Sequence, residues 1–174
     1  KTSTPKHPLK LTDRILKRSF DILFSTIGLI TLWWLILITY LLATVDTRQN
    51  GFFVQKRVGM DGRLFNAIKI RTMRNIPNIQ TTATTANDPR ITRFGSLLRK
   101  TKLDELPQLL NVFCGHMSFV GPRPDVPGFA DQLGGPDRII LSIRPGITGP
   151  ATLAFREEEK LLAKEEEKQE SNHQ

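Results

Sequence analysis

The chain has 174 residues, 39% of them hydrophobic and 24% charged, with 25 Lys and Arg against 17 Asp and Glu for a net charge of +8. One domain's worth of length with this balance is too polar for a polytopic transporter and too apolar for a disordered chain. The single cysteine, Cys114, excludes an internal disulfide and a multi-cysteine metal site, which fits a reducing compartment.

The charge is unevenly spread. Residues 1–46 carry 6 basic and 3 acidic side chains, residues 47–156 carry 16 and 7, and residues 157–174 carry 3 and 7. The basic excess therefore lies in the middle, where a positive field recruits anions such as nucleic acid, phosphorylated metabolites or a membrane surface.

In chain order, residues 1–11 read as a flexible end holding two prolines. A helix is expected from Thr12, capped by Thr12 or Asp13, with Ile15, Leu16, Phe20 and Leu23 on one stripe. It runs into residues 22–45, which contain no ionisable side chain except Tyr40 and are long enough to span a bilayer core. A buried core helix is the competing reading, weakened by the lack of a polar face. Lys10, Arg14, Lys17 and Arg18 precede the run, and Arg48, Lys56 and Arg57 follow it. Basic residues at both ends disagree about which end is cytoplasmic, a conflict that a segment returning to the same face would resolve.

Beyond the membrane segment (residues 12–46), a catalytic-domain-sized stretch (residues 47–156) begins with FFVQKRV and RLFNAIKI around an Asp61-Gly62 turn, a hairpin signal. Alternation puts Lys69 and Arg71 on the same strand face as Phe65 and Ala67. Residues 75–89 read as a loop. Ile91, Phe94, Leu97 and Leu98 mark a helix, and Leu106, Leu109, Leu110 and Phe113 a shorter one ended by Gly115. GPRPDVPG and RPGITGP are stiff loops carrying Arg123 and Arg144, and residues 157–174 form a charged tail, helical or disordered. The fold class is α/β: mainly helical with a small hairpin, a membrane-embedded N-terminal segment and a compact domain.

The sharpest chemical feature is Lys102-Leu103-Asp104-Glu105-Leu106-Pro107, two adjacent carboxylates at an expected helix start. Asp at such a position most often serves as a cap. Here Arg90, Arg93, Arg99, Lys100 and Lys102 lie close in sequence, and cations together with a helix N-terminus are expected to lower the carboxylate pKa. An ionised Asp can attack phosphorus or hold Mg²⁺, which uses one or two carboxylates plus phosphate oxygens. Arginines on stiff loops suit bidentate phosphate contacts. His7, His116 and His173 lack ligand spacing, and neither a G-x-x-x-x-G-K-[ST] nor a G-x-G-x-x-G loop occurs.

The series KRSFDILFS, GFFVQKRVGMDGRLFNAIKIRTM, NDPRITRFGSLLRKTKLDELPQLLNV, GHMSFVGPRPDVPGF and RPGITGP resembles, in order, the bacterial sugar transferases known as monotopic phosphoglycosyl transferases. The resemblance implies an enzyme on the cytoplasmic face of the bacterial inner membrane. It would transfer a phospho-sugar from a UDP-sugar to polyprenol phosphate, with Asp104 as nucleophile and Mg²⁺ ligand and Glu105 positioning metal or phosphate. Arg99, Arg123 and Lys69 match the family's basic positions, and with Arg71, Arg90 and Arg144 form the expected phosphate- and nucleotide-binding set. Membrane lipids and a homodimer are the further partners expected, and nucleic acid is not among them.

The resemblance also implies a re-entrant helix-break-helix, although Trp33-Trp34 stands where Ser-Pro commonly breaks it. Two further departures are Gly115-His116-Met117-Ser118 in place of a common GDMS, and the Glu/Lys tail in place of an amphipathic stretch. The reading from another class is a membrane-anchored basic module that binds anionic lipid or nucleic acid without catalysis.

Overall fold

A computed structural model describes residues 10–76 and 88–149. Of the expected flexible end at residues 1–11, residues 1–9 lie outside the described residues, as do most of the loop at 75–89 and the charged tail, while Leu11 already belongs to the first helix. The described elements are a long helix α1 (Leu11–Thr47), a hairpin of β1 (Phe52–Val58) and β2 (Leu64–Ile70), short helices α2 (Arg93–Thr101) and α3 (Gln108–Phe113), and strands β3 (Ser118–Val120) and β4 (Gly146–Thr148). Mainly helical character with a small hairpin is found as expected. Beside it stands a second two-stranded sheet, β3 parallel to β4, built within the Gly/Pro loops.

α1 has 37 residues, about 55 Å of helix. It starts after Lys10 without a side-chain cap, one residue before the expected cap, and Asp13 sits in its first turn, where a negative charge suits the helix dipole. Its buried positions, Asp21, Ser25, Thr39, Ala43 and Thr47, recur at helical spacing on one face. The remaining faces point outward, Trp33 and Trp34 at 61% and 50% exposure among them. Only 11% of its most apolar 18-residue window is buried, so this is not a core helix, and its length and composition suffice to cross a membrane.

The expected helix-break-helix does not form, because α1 continues unbroken through Trp33-Trp34. Residues 9–76 contain no proline, so no backbone N–H is lost from the helical ladder. Hydroxyls of Thr26, Thr31, Thr39, Thr44 and Thr47 donate to carbonyls one turn back. Each of these hydroxyls is thereby satisfied within the helix, as an apolar surrounding requires.

The KRSFD segment docks α1 on the domain. Buried Asp21 accepts from Ser118 Oγ (3.0 Å) and from the Phe119 backbone N–H (3.1 Å). Lys17 donates to Ser118 Oγ and to the Val120 carbonyl (2.8 Å). Arg18 donates to the Val112 and Phe113 carbonyls at the end of α3, both at 2.7 Å. Further along, a Cβ on Gly28 would meet Leu109 at 3.1 Å, so the glycine lets α3 approach closely. Near its C-terminal end Ala43 packs with Ile70 and Leu98.

The hairpin pairs Phe52 with Ile70 through Val58 with Leu64, and its turn places Asp61 and Gly62 at φ 59° and 79°, the left-handed region that Asp-Gly supplies. Phe65 and Ala67 face Val112 and Met117, while Ile70 faces α1 and α2. Asn111 closes the joint between α3 and β2: its Nδ2 donates to the Asn66 carbonyl (2.7 Å) and its Oδ1 accepts from the Ile68 N–H (3.1 Å). α2 starts at an N-cap Thr92, whose Oγ1 accepts from the Gly95 N–H at 2.8 Å.

Candidate active site

Asp104 and Glu105 sit in a single 3₁₀ turn, Leu103–Glu105, between α2 and α3. They are not in the first turn of the following helix as expected, because α3 begins only at Gln108 with Pro107 as its cap. Lys102 ends α2 in the left-handed conformation, φ 59°, and this reversal turns Asp104 into the domain. Asp104 is 8% exposed, and its Oδ1 is buried with no hydrogen-bond partner among the described residues. Glu105 Oε1 accepts from Lys69 Nζ at 2.8 Å, a half-buried ion pair that ties the dyad to β2.

Burial is the largest influence on Asp104 and pushes its carboxyl above the ordinary carboxylate range. Lys69, Lys102 and Arg99 oppose the shift, and the Glu105 charge adds to it. The expectation of a lowered pKa is therefore corrected. The cations are present, but desolvation of a side chain with an unpartnered oxygen outweighs them.

Lys69, Arg99 and Lys102 are thus brought to the dyad. Arg99 is held by Nε donating to Thr72 Oγ1 (3.0 Å) and by Nη2 on Met73 Sδ (3.2 Å). Arg90 forms a close pair with Asp88 (2.6 Å), whose carboxyl it holds below the usual range and which also feels Arg99. Arg71 donates Nε to the Asn50 carbonyl (2.7 Å) and lies over the Phe53 ring, bracing the connection between α1 and β1. Arg123 is exposed on the loop after β3. Arg144 goes elsewhere: its Nε donates to the Gly115 carbonyl (2.8 Å), and the charges around it are Arg18, Asp21 and Arg14.

One residue that the sequence reading missed is Arg57. It donates Nη1 to the Pro124 carbonyl (3.0 Å) and Nη2 to Gln55 Oε1 (2.7 Å). Burial lowers its pKa most, Arg123 adds to that, and Asp125 and Glu105 oppose it. Arg57 therefore stands between the dyad and the Arg123 loop. In the sequence it is only one charged position in a strand, and the contact that gives it meaning spans 67 residues.

The donor set around Asp104 suits a hard divalent cation that completes its shell with substrate oxygens. Among the described residues no group of three or more His, Cys, Asp or Glu could enclose a metal alone. A carboxylate oxygen without a partner beside a second carboxylate is the donor pattern Mg²⁺ takes when phosphates supply the rest.

A helix long and apolar enough to cross a membrane is docked on a small basic domain, which sets buried Asp104 beside half-buried Glu105 among cations. The chain belongs to the bacterial sugar transferase family, whose model matches residues 12–172. It is 38% identical over 170 residues to a UDP-glucose:undecaprenyl-phosphate glucose-1-phosphate transferase of Escherichia coli, covering 92% of this chain and 36% of that one. It is 40% identical over 149 residues to an exopolysaccharide production protein of Rhizobium leguminosarum, covering 81% and 74%. A UDP-galactose-lipid carrier transferase of Erwinia amylovora is 38% identical over 158 residues, covering 80% and 32%. The chain thus spans about a third of the length of the first and last of these relatives.

Proposed function

We propose that this protein transfers a phospho-sugar from a UDP-sugar to polyprenol phosphate, giving polyprenyl-diphosphate-sugar and UMP, at the cytoplasmic face of the bacterial inner membrane. The observation that carries the reading is Asp104: a buried carboxyl with an oxygen free of hydrogen bonds among the described residues, within the stretch that the family model matches. Asp104 attacks the phosphorus that bears the sugar, and UMP departs. Polyprenol phosphate then attacks the same phosphorus and releases the Asp104 carboxylate. Covalent catalysis splits one hard displacement into two.

Each neighbour has a part in this scheme. The raised pKa of Asp104 marks a weakly solvated and therefore reactive carboxylate, and Lys69, Arg99 and Lys102 favour its ionised form. Lys69 orients Glu105, and Arg57 steadies the loop from which Arg123 reaches the nucleotide. Mg²⁺ held by Asp104, with Glu105 beside it, would neutralise the donor diphosphate and stabilise the leaving UMP. In this reading α1 lies in the bilayer, and both its ends stay on the domain's side, since residues 17–21 and 43–47 alike contact the domain.

The test is UMP release from a panel of UDP-sugars by the full chain in nanodiscs with polyprenol phosphate and Mg²⁺. Release with at least one donor is expected, along with its loss in Asp104→Asn. Unchanged release in that variant would remove Asp104 from the reaction.

A further inference from the structure

α1 holds the domain along almost its whole length. Lys17 and Asp21 bond to β3, and Gly28 lies against Leu109 of α3. Further on, the Tyr40 ring stands 4.6 Å from that of Phe52, Ala43 packs with Ile70 and Leu98, and Asp46 accepts from Arg74 at 3.2 Å. These contacts run from residue 17 to residue 46, about 44 Å of helix, and the widest interval among them, Gly28 to Tyr40, is about 18 Å. A bilayer's hydrocarbon core is about 30 Å thick. A helix pinned at this spacing cannot cross it without drawing residues 47–156, with 16 basic side chains against 7 acidic, into the hydrocarbon. Nor does α1 turn back, since it is helical throughout Leu11–Thr47.

The contacts fall on one side. At 3.6 residues per turn, buried Asp21, Ser25, Thr39, Ala43 and Thr47 and the contacting Gly28 occupy about a third of the circumference. The opposite side carries Ile27, Ile30, Trp34, Leu37, Leu41 and Val45, each 46–78% exposed. Phe24 and Trp33, also exposed, widen this apolar arc to about half the circumference. Two paired helices cover a narrower stripe, so a second copy of the chain would leave the flanks of the arc bare, whereas a lipid surface covers all of it. Trp33 and Trp34 select the same occupant and its depth. They stand at the middle of the apolar run, which is the bilayer centre for a spanning helix, yet tryptophan favours the membrane–water interface. In a helix lying flat, the middle of the run is at the interface too.

We propose that α1 lies in the plane of the membrane surface, sunk by this arc into the headgroup–acyl boundary of one leaflet of a lipid bilayer. The domain takes the place of the polar face that an interfacial helix otherwise turns to water. The inference rests on the reading of α1 as a helix in the bilayer and is independent of the chemistry of Asp104.

Trp33 and Trp34 are the chain's only tryptophans, so intrinsic fluorescence reports the depth of mid-α1. The full chain is reconstituted in vesicles of equal phosphatidylglycerol and phosphatidylcholine whose acyl chains carry bromine either close to the headgroup or close to the terminal methyl. The shallow bromine should quench at least about twofold more than the deep one. Trp33→Phe and Trp34→Phe, each conservative at an exposed position, should keep that order. Equal or stronger quenching by the deep bromine, in the parent chain or in either variant, overturns the proposal in favour of a spanning or re-entrant helix. Quenching by neither lipid in a chain that floats with the vesicles overturns it in favour of a second copy covering the arc. A chain that does not float overturns the membrane reading as well. UMP release by the same vesicles reports on Asp104 separately, so deep quenching with release intact defeats the orientation of α1 alone.

Discussion

Asp104→Asn tests whether the site is held at a cost to the fold. The substitution preserves shape while removing a charge from a side chain that is 8% exposed and whose Oδ1 has no partner among the described residues. Asn keeps a polar atom in that place, so what it relieves is the buried charge, at a cost of about 1–3 kcal/mol. In a chain of this size 1 kcal/mol moves Tm by about 2–4 °C, so the variant should melt roughly 2–12 °C above the parent at neutral pH. The sign of the pH dependence follows from the raised pKa. Between the ordinary aspartate value and the raised native one, the folded chain binds more protons than the unfolded chain, so this group makes stability fall as pH rises through that window. Asn removes the slope. Thermal melts of both proteins from acidic to neutral pH should therefore converge at the acid end and separate as pH rises. Equal slopes, or an Asn variant melting below the parent at neutral pH, would refute a desolvated, unpartnered Asp104.

Lys69→Met removes the partner of Glu105 and the strongest cationic influence on Asp104. UMP release should fall at least about tenfold, the acid limb of its pH profile should move upward, and Lys69→Arg should restore part of the rate. Arg57→Gln loses the bond to the Pro124 carbonyl, so KM for the UDP-sugar should rise about fivefold with a smaller change in kcat, as steady-state kinetics would report. Asp21→Ala leaves Ser118 Oγ and the Phe119 N–H without their acceptor, and should destabilise the joint between α1 and the domain by about 3 kcal/mol in denaturant melts.

What could be read from the sequence was what local periodicity encodes. The hairpin boundaries, the Asp61-Gly62 turn and the apolar length of α1 depend on neighbours within a few residues, and these were found where expected. The environment of Asp104 was not legible, since burial is set by α2, β2 and α3 together while the cations nearby in sequence pointed the other way. KRSFD had a similar fate. As a sequence it is a basic flank of a membrane segment, yet Asp21 and Lys17 reach partners 97 to 103 residues away. Asn111 reads as one polar residue in a short helix, and only its two bonds to β2 show why an amide must stand there.

Arg144 shows how a non-local pairing reassigns a residue. Two Pro/Gly loops, each with one arginine, invited the inference that both serve one phosphate site. Their backbones do cross: the Gly121 N–H donates to the Thr148 carbonyl and the Gly146 N–H to the Pro122 carbonyl. A Cβ on Gly121 would lie 2.3 Å from the Arg144 carbonyl oxygen, so only glycine permits the crossing. From there the loops diverge. Parallel pairing of Ser118 with Gly146 sets Arg144 beside the strand end that holds Asp21, at the foot of α1. The bond from the Val58 N–H to the Asp125 carbonyl carries Arg123 the other way, to the edge of β1 and toward Arg57 and the dyad. The crossing thus divides the positive charge between the surroundings of Asp104 and the N-terminal part of α1.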